Sequence, residues 1–237
     1  MAVTANVLTR VFRIRTGAWD QNSASCFTIE VDNRQYLITA DHVVPDVLAG
    51  GTIDVLLSQQ WESLRVVSIA HIPARESDIA VISLQQVISQ TLPLEPTGDG
   101  LTIGQEVFFL GYPHGMSMTL PDLHPTPLPF VKHAILSAWE RDSTGRLRMI
   151  LDGVNNPGFS GGPVVFTPSA GGAFRVAGVV SFFRFLSVSV LDQEGRDTGT
   201  RAEVNAGLIT ANHIDHAIQA ARDMGDGPLV YPTATLN

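Results

Sequence analysis

Short runs of β-branched and aromatic residues recur along the whole chain and are separated by polar, glycine and proline positions. Such runs with frequent turn residues are typical of antiparallel strands. In the first half the pattern predicts strands over 26–31, 35–39, 52–57, 64–70 and 79–84. In the second half it predicts strands over 105–110, 131–139, 147–151, 164–167, 173–183 and 185–191. The chain also contains 21 glycines and 14 prolines, which favour turns between strands. This many short strands indicates an antiparallel barrel or sandwich.

One segment near the C-terminus, 212–224, departs from the β pattern. Its apolar positions recur at helical spacing, at Ile214, Ala217, Ile218 and Ala221. Asn212 is a suitable N-cap, and Gly225 stands just past the end. We therefore expect a C-terminal helix that packs on the second of two lobes.

The stretch 93–100, which contains proline and glycine, falls between the two groups of strands. We expect it to link an N-terminal lobe, 1–95, to a C-terminal lobe, 96–237. A chain of 237 residues with 44% hydrophobic and 16% charged residues can bury a sizeable core. The pattern thus predicts one globular unit of two lobes.

Charge and cysteine content exclude several classes of protein. The formal net charge is −8, and lysine and arginine form no cluster, so we expect neither a nucleic-acid partner nor an anionic membrane surface. The single Cys26 cannot form an internal disulfide. The N-terminus lacks the pattern of a signal peptide, and no apolar run reaches the roughly 18 residues of a membrane span. A cytoplasmic location is the expectation.

The candidate chemistry centres on the segment 156–163, Asn-Pro-Gly-Phe-Ser-Gly-Gly-Pro. It places Ser160 among glycines that let the backbone approach a substrate carbonyl, and a serine hydroxyl needs a neighbouring base to become a nucleophile. His42, which follows an apolar run, and Asp78, which precedes another, are the best placed partners. The resulting order along the chain is His, Asp, Ser, which is the order of chymotrypsin.

Four segments together carry a family resemblance. They are Thr39-Ala40-Asp41-His42-Val43-Val44, Ser77-Asp78-Ile79-Ala80-Val81, Gly111-Tyr112-Pro113, and Asp152 with the loop 155–163. In this order they resemble trypsin-like (chymotrypsin-fold) serine peptidases, particularly the bacterial HtrA/Deg proteases. The resemblance implies an all-β fold of two six-stranded antiparallel β-barrels with a C-terminal α-helix. About 13 residues follow the predicted helix, too few for a PDZ domain, so the expectation is a protease domain without one.

The resemblance also implies roles for the site residues. His42 would take the proton of Ser160, and Asp78 would orient His42 and stabilise its protonated ring. The backbone N–H groups of Gly158 and Ser160 would form the oxyanion hole. The implied partner is a peptide or protein substrate, and the implied reaction needs neither a metal nor an organic cofactor.

Substrate preference follows from the same alignment. Val154 falls at the base of the pocket for P1, the substrate residue whose carbonyl is attacked. The walls of this pocket are expected at Val180, Ser181, Phe182 and Phe183 and at 205–207. Since Val154 is not acidic, preference for Arg or Lys is not expected. Phe182 and Phe183 would narrow the pocket and favour a small or medium apolar P1 residue, unless both belong to the core.

One departure from the family and three alternative interpretations follow from the sequence alone. Phe159 replaces the Asp or Asn that commonly precedes the serine, which leaves a latent loop that a partner must order as one alternative. A protease-like module that binds peptides without cleaving them is a related alternative. The segment 158–162 also matches the G-x-S-x-G elbow of α/β-hydrolases, but Pro163 and two valines follow where that elbow requires a helix.

His213, Asp215 and His216 lie close together near the predicted helix. On a terminal helix we expect them to face solvent, and no metal site is predicted there.

Overall fold

The computed structural model describes residues 2–16, 24–73, 75–120, 124–142, 144–169 and 171–230. The strands of the N-terminal half are β1 (Val11–Arg15), β2 (Ala24–Val31), β3 (Arg34–Thr39), β4 (Thr52–Leu57), β5 (Gln60–Ile72) and β6 (Ile79–Leu84). Those that follow are β7 (Glu95–Pro96), β8 (Glu106–Gly111), β9 (Met118–Leu120), β10 (His124–Leu128), β11 (Phe130–Arg141), β12 (Leu147–Asp152), β13 (Pro163–Phe166), β14 (Arg175–Leu191) and β15 (Asp197–His213). The α-helices of the described residues are α1 (Ala5–Leu8) and α2 (Asp215–Met224), and 3-10 turns span Asp41–Val43 and Pro113–Gly115.

The first six strands close into a barrel in the order β1-β2-β3-β6-β5-β4. All of its pairings are antiparallel, for example Ile38 opposite Phe27 in β2 and opposite Val81 in β6. Every residue of β6 is buried, because one face of the strand points into the barrel and the other packs against the rest of the protein. Closure leaves this sheet without an exposed edge.

The later strands form a second sheet in the order β13-β8-β11-β12-β15-β14-β7. A further antiparallel pairing of β13 with β14 closes six of these strands into a ring, and β7 adds to β14 in parallel. The all-β architecture with a C-terminal helix that the resemblance implied is therefore confirmed. The expected linker, 93–100, contributes β7 to the second sheet.

Each barrel has its own hydrophobic core, and a further core joins the two barrels. It combines side chains of β2 and β3 with side chains of β8, β13, β14 and the C-terminal helix. Tyr112, just after β8, lies in it and donates its hydroxyl to the carbonyl oxygen of Val11 at 2.8 Å. This shared core fixes the lobes against one another, so residues from both can meet in one site.

The longest strands, β14 and β15, continue past the second barrel as a two-stranded ribbon. The sequence pattern predicted two strands with a break near residue 184 and missed β15. The structure has one continuous β14. The outer part of β15 is largely exposed and holds only Ala202 and Val204 as apolar residues before Asn205, too few for the apolar runs on which the prediction depended.

The C-terminal helix begins later than predicted. Asn212, expected as its N-cap, is buried at the end of β15, opposite Val179 and Arg148. Strand pairing therefore extends the sheet at the expense of the first predicted helical turn. Gly225 ends the helix as expected, with a φ of +64° in the left-handed region. No helix among the described residues is long and apolar enough to cross a membrane.

Candidate active site

His42 lies in the 3-10 turn that follows β3, at the junction of the two lobes. Its Nδ1 is 2.9 Å from Asp78 Oδ2 and 3.0 Å from Oδ1, and its backbone N–H donates to Asp78 Oδ1 at 3.0 Å. Its side chain is 47% exposed, so the ring is accessible on the side away from the carboxylate. The Asp78 hydrogen bond is the main cause that raises the pKa of His42 above its ordinary value. Burial opposes it, and the charges of Asp78 and Asp41 add to it.

Asp78 stands just before β6 with a φ of +44°, a left-handed conformation that aspartate tolerates better than most residues. Its side chain is 4% exposed. Besides His42, its carboxylate accepts a hydrogen bond from the hydroxyl of buried Ser181. A buried carboxylate with these donors stays in one orientation, so it can fix the tautomer and the orientation of the His42 ring.

Ser181 reaches Asp78 because of an irregularity in the sheet. Val180 pairs with Ala211 and Phe182 with Thr210, so Ser181 is the extra residue of a β-bulge in β14. Bulges of this kind redirect a side chain next to a functional site. The sequence placed Ser181 on a substrate pocket wall, and nothing in its local pattern indicated a bond to Asp78.

Ser160 lies in the turn before β13 and lines the cleft together with His42. Its hydroxyl donates to the backbone carbonyl of Ser181 at 3.0 Å. Among the described residues it makes no hydrogen bond with His42, so rotation of the hydroxyl must precede proton transfer. A Cβ at the following Gly161, whose φ is +82°, would collide with Ser25 and Thr39, which explains the glycine.

The loop ahead of Ser160 exposes two backbone donors. Gly158 has a φ of +105°, and a Cβ there would collide with the Tyr112 carbonyl. The Pro157 carbonyl accepts the His114 N–H at 2.8 Å, which fixes the orientation of the peptide group that contains the Gly158 N–H. Within the described chain the N–H groups of Gly158 and Ser160 have no hydrogen-bond partner, so both are free to bind an oxyanion.

Phe159 anchors this loop in the core of the second barrel. The side chain is fully buried and meets Phe109 edge to face, with ring centroids 5.0 Å apart. Lys132 of β11 lies over the Phe159 ring with its Nζ 5.6 Å from the centroid. The same Nζ donates to the Val154 carbonyl and, at 2.8 Å, to Asn156 Oδ1. A buried apolar side chain therefore anchors the loop at the position where the family commonly has Asp or Asn.

Buried Ser25 of β2 ties the loop to the first barrel. Its N–H donates to the Ser160 carbonyl at 2.9 Å, and its hydroxyl donates to the Gly158 carbonyl at 2.6 Å. The same hydroxyl accepts the Tyr112 N–H at 3.0 Å. Neither Ser25 nor Lys132 was a candidate from the sequence, since neither belongs to a recognisable motif.

The cleft that contains His42 and Ser160 has a volume of about 1190 Å³. Phe183 and Phe185 of β14 also line it. Of the residues predicted for the P1 pocket, Phe183 is the one on this surface. Val180 and Ser181 are buried, while Val154 is 55% and Phe182 46% exposed outside it. The assignment of these residues to substrate binding stays a prediction.

The histidines near α2 are less exposed than expected. The side chain of His213 is only 12% exposed and its Nδ1 lies 3.3 Å from Asp215 Oδ2. His216 is half-buried, which lowers its pKa. The prediction that these histidines face solvent is wrong, because His213 belongs to β15 and its ring packs against Trp139, with centroids 5.7 Å apart; Asp215 is exposed as expected. The predicted packing of α2 on the second lobe is also corrected, since the helix contacts mainly β5 and β6 of the first barrel. Among the described residues no group of three or more metal-binding side chains comes together.

Comparisons with known proteins agree with this fold. The family model of the trypsin-like peptidase domain matches residues 24–171. Among curated proteins, none matches the chain by sequence.

Several solved structures share the fold. The HtrA-type protease AlgW with a tripeptide is 21% identical, with a TM-score of 0.59 over 94% of this chain and 63% of that chain. Rv3671c from M. tuberculosis, in an inactive form, is 17% identical, with a TM-score of 0.59 over 95% of this chain and 92% of that chain. The serine endoprotease from Yersinia pestis is 18% identical, with a TM-score of 0.58 over 92% of this chain and 64% of that chain. The chain spans about three fifths of the length of the AlgW chains.

Proposed function

Since the chain belongs to the trypsin-like peptidase domain family, we propose that it is a serine endopeptidase with Ser160, His42 and Asp78 as its catalytic triad. The observation that carries the proposal is the pair of His42 Nδ1 and buried Asp78, 2.9 Å apart, in the same cleft as Ser160. A histidine held in this way presents Nε2 as the base.

The reaction follows from the positions of these groups. The Ser160 hydroxyl turns from the Ser181 carbonyl toward His42 and loses its proton to Nε2 as Oγ attacks the substrate carbonyl. The N–H groups of Gly158 and Ser160 stabilise the oxyanion, and one such donor contributes about 3 to 4 kcal/mol to the transition state. His42 then protonates the leaving amine. Water, activated by the same histidine, releases the acyl group from Ser160.

The substrate is a peptide whose P1 residue is small or medium and apolar. Phe183 on the cleft surface supports this proposal, since a large ring at the cleft wall leaves less room for a bulky P1 side chain. The absence of an acidic residue at 154 removes the partner that a cationic P1 side chain would need.

A latent enzyme is the second candidate, because the Ser160 hydroxyl bonds to Ser181 instead of His42. The free N–H groups of Gly158 and Ser160 and the buried Phe159 support a loop that is competent at rest. We therefore favour the active enzyme.

A fluorophosphonate probe tests the proposal, because it reacts with an activated serine whatever the peptide preference. We expect it to label the wild type and to fail with Ser160→Ala and His42→Ala. Circular dichroism of each variant serves as the folding control. A well-folded wild type that remains unlabelled would contradict an active enzyme, and labelling that persists in Ser160→Ala would assign the nucleophile elsewhere.

A further inference from the structure

A second histidine–aspartate pair lies beside His42. Asp41, the residue before His42 in the 3-10 turn, faces His71 of β5, with 2.7 Å between Asp41 Oδ1 and His71 Nδ1. The other ring nitrogen of His71, Nε2, lies 3.0 Å from the carbonyl oxygen of Val47. The His71 side chain is 31% exposed and that of Asp41 14%, so water screens the pair only in part. His71 therefore bridges the turn that holds His42 and the segment that follows it.

Both partners of the His71 ring are hydrogen-bond acceptors. A neutral imidazole carries one N–H and can donate to the Asp41 carboxylate or to the Val47 carbonyl, but not to both. The protonated ring donates from both nitrogens and satisfies both acceptors. Among the described residues no backbone N–H donates to the Val47 carbonyl, so its orientation depends on His71. The geometry of this Asp41–His71–Val47 bridge thus corresponds to the charged ring.

The segment held by the bridge forms one wall of the cleft. Residues 45–48 line the same cleft as His42 and Ser160. Val47 is buried in the core of the first barrel, whereas Leu48 is 68% exposed. Rotation of the peptide group between them would move the exposed leucine, so the hydrogen bond from His71 controls the shape of the wall.

The proposed chemistry assigns this wall to one side of the scissile bond. His42 gives its proton to the leaving amine, so the substrate residues that follow the scissile bond lie on the His42 side of Ser160. The wall formed by residues 45–48 continues from the His42 turn. It is therefore the surface that this part of the substrate meets.

We propose that His71 is a positioning residue whose protonated ring holds Asp41 and Val47 together, and so shapes the wall that receives the substrate after the scissile bond. The inference rests on the proposed protease function. When the ring loses a proton, the remaining one stays on Nδ1, because a hydrogen bond to a carboxylate is stronger than one to a neutral carbonyl. The His42 turn then keeps its bond to the ring, while the Val47 carbonyl loses its donor and the wall loosens.

Other charged groups lie on the elements around the ring. β6, where Ala80 is opposite His71, contains no titratable residue. α2 packs on the other face of β5, against Ala70 and Ile72. Since a second histidine belongs to the set, the test must distinguish the two rings. The charged and titratable residues of the 3-10 turn, the wall and the segment after β5 are Asp41, His42, Asp46, Arg75, Glu76 and Asp78.

Nitrogen NMR of the wild type tests the bridge without an assay of activity. The ring signals of His71 are those absent from His71→Gln, and they report which nitrogen carries a proton. We expect protons on both nitrogens at acidic pH and on Nδ1 alone at alkaline pH. The Leu48 amide shares its peptide group with the Val47 carbonyl, so its signal should follow the titration of His71 and not that of His42. A neutral ring with its proton on Nε2, or a Leu48 amide that does not respond to His71, would overturn the proposal.

Kinetics with two substrates test the consequence for the cleft. One is a peptide p-nitroanilide with valine at P1, which ends just after the scissile bond, and the other is an internally quenched peptide that extends beyond it. As His71 loses its proton, we expect KM for the extended peptide to rise about fivefold, the effect of one ordinary hydrogen bond, while KM for the p-nitroanilide stays constant. His71→Gln should remove this pH dependence, because glutamine does not titrate. His133→Gln is the matched control, since His133 is an exposed histidine of β11, 3.5 Å from the Glu106 carboxylate and outside the cleft lining.

An equal rise of KM for both substrates, or a rise that survives His71→Gln, would refute the role of His71 in shaping the wall. Fluorophosphonate labelling of the wild type is measured in parallel. An unlabelled protein whose Leu48 amide still follows His71 would refute the protease function and leave the bridge standing. A labelled protein whose Leu48 amide ignores His71 would refute the bridge and leave the protease function standing.

Discussion

Single hydrogen bonds set the chemistry of His42. Its Nδ1 faces the Asp78 carboxylate, which in turn is held by the Ser181 hydroxyl. This arrangement stabilises the protonated ring and raises the pKa of His42, although burial acts in the opposite sense. A base must be neutral to accept the serine proton, so the same bond that orients His42 also moves its working range to higher pH.

The pH profile of kcat/KM follows from that shift. Because the pKa of His42 is raised, its ring stays protonated to a higher pH, and activity should rise through a midpoint above the ordinary value of about 6.5. Asp78→Asn removes the main cause of the shift, so the midpoint should fall and kcat should drop roughly 10⁴-fold. Rates across the pH range for both proteins measure this. A flat wild-type profile would exclude His42 as the base.

Phe159 acts at the same scale through packing. Its fully buried ring contacts Phe109, so Phe159→Ala should lower the free energy of unfolding by about 3 to 5 kcal/mol. It should also slow fluorophosphonate labelling, because the loop that carries Gly158 and Ser160 loses its anchor. Phe159→Leu retains most of the apolar volume and should restore labelling. Unchanged labelling in a folded Phe159→Ala protein would show that the loop is ordered by other contacts.

At the scale of elements, β11 supports the serine loop from behind. Lys132 projects from this strand to the Val154 carbonyl and to Asn156, and its cation lies over Phe159. Partial burial lowers its pKa, so the loop receives its hydrogen bonds from a cation that has given up part of its hydration. A regular strand thus holds an irregular loop in the conformation that exposes its N–H groups.

Lys132→Met tests this support, since methionine keeps a flexible apolar stem but donates no hydrogen bond. We expect kcat to fall about tenfold, because poorer orientation of the serine loop raises the activation free energy by about 1.4 kcal/mol. The effect on KM should be smaller. Steady-state kinetics on a peptide substrate would measure the effects on kcat and on KM separately. An equal loss in a Lys132→Arg protein would argue for a strict steric requirement instead of hydrogen bonding.

At the scale of the whole molecule, the site exists because two barrels meet. His42 and Asp78 come from the first barrel and Ser160 from the second, while Ser25 bonds across the junction to the carbonyls of Gly158 and Ser160. The core shared by the barrels holds this junction closed. Relative movement of the lobes would therefore separate the base from the nucleophile.

Ser25→Ala should weaken the junction itself. The change leaves the Gly158 carbonyl and the Tyr112 N–H buried without this partner, which costs about 1 to 3 kcal/mol of unfolding free energy. Activity should fall more than the loss of folded protein explains, because the oxyanion loop loses a tether. Ser137→Ala, at an exposed serine of β11, is the control. Urea unfolding and labelling rates of both variants measure the effect, and identical behaviour of the two would refute the role of Ser25.

The amino-acid sequence by itself determined most strands and the identity of the three candidate catalytic residues. The alternation of apolar and polar residues indicates which face of a strand is buried, and the glycines around Ser160 indicate where the backbone must turn. Both features can be recognised in a short segment of sequence. The same logic failed for β15, whose outer half is largely exposed and has few apolar residues. It also failed for Asn212, where strand pairing displaced a helix cap.

Only the tertiary structure decided which groups support the site. Ser25 and Gly158 are 133 residues apart in the chain, and Ser181 and Asp78 are 103 apart. Contacts of this kind depend on the closure of both barrels and on a bulge in β14, which no local pattern encodes. The projecting ribbon and the exposed Phe185 arise in the same way, because the ribbon forms where β14 and β15 extend beyond the barrel that they help to close.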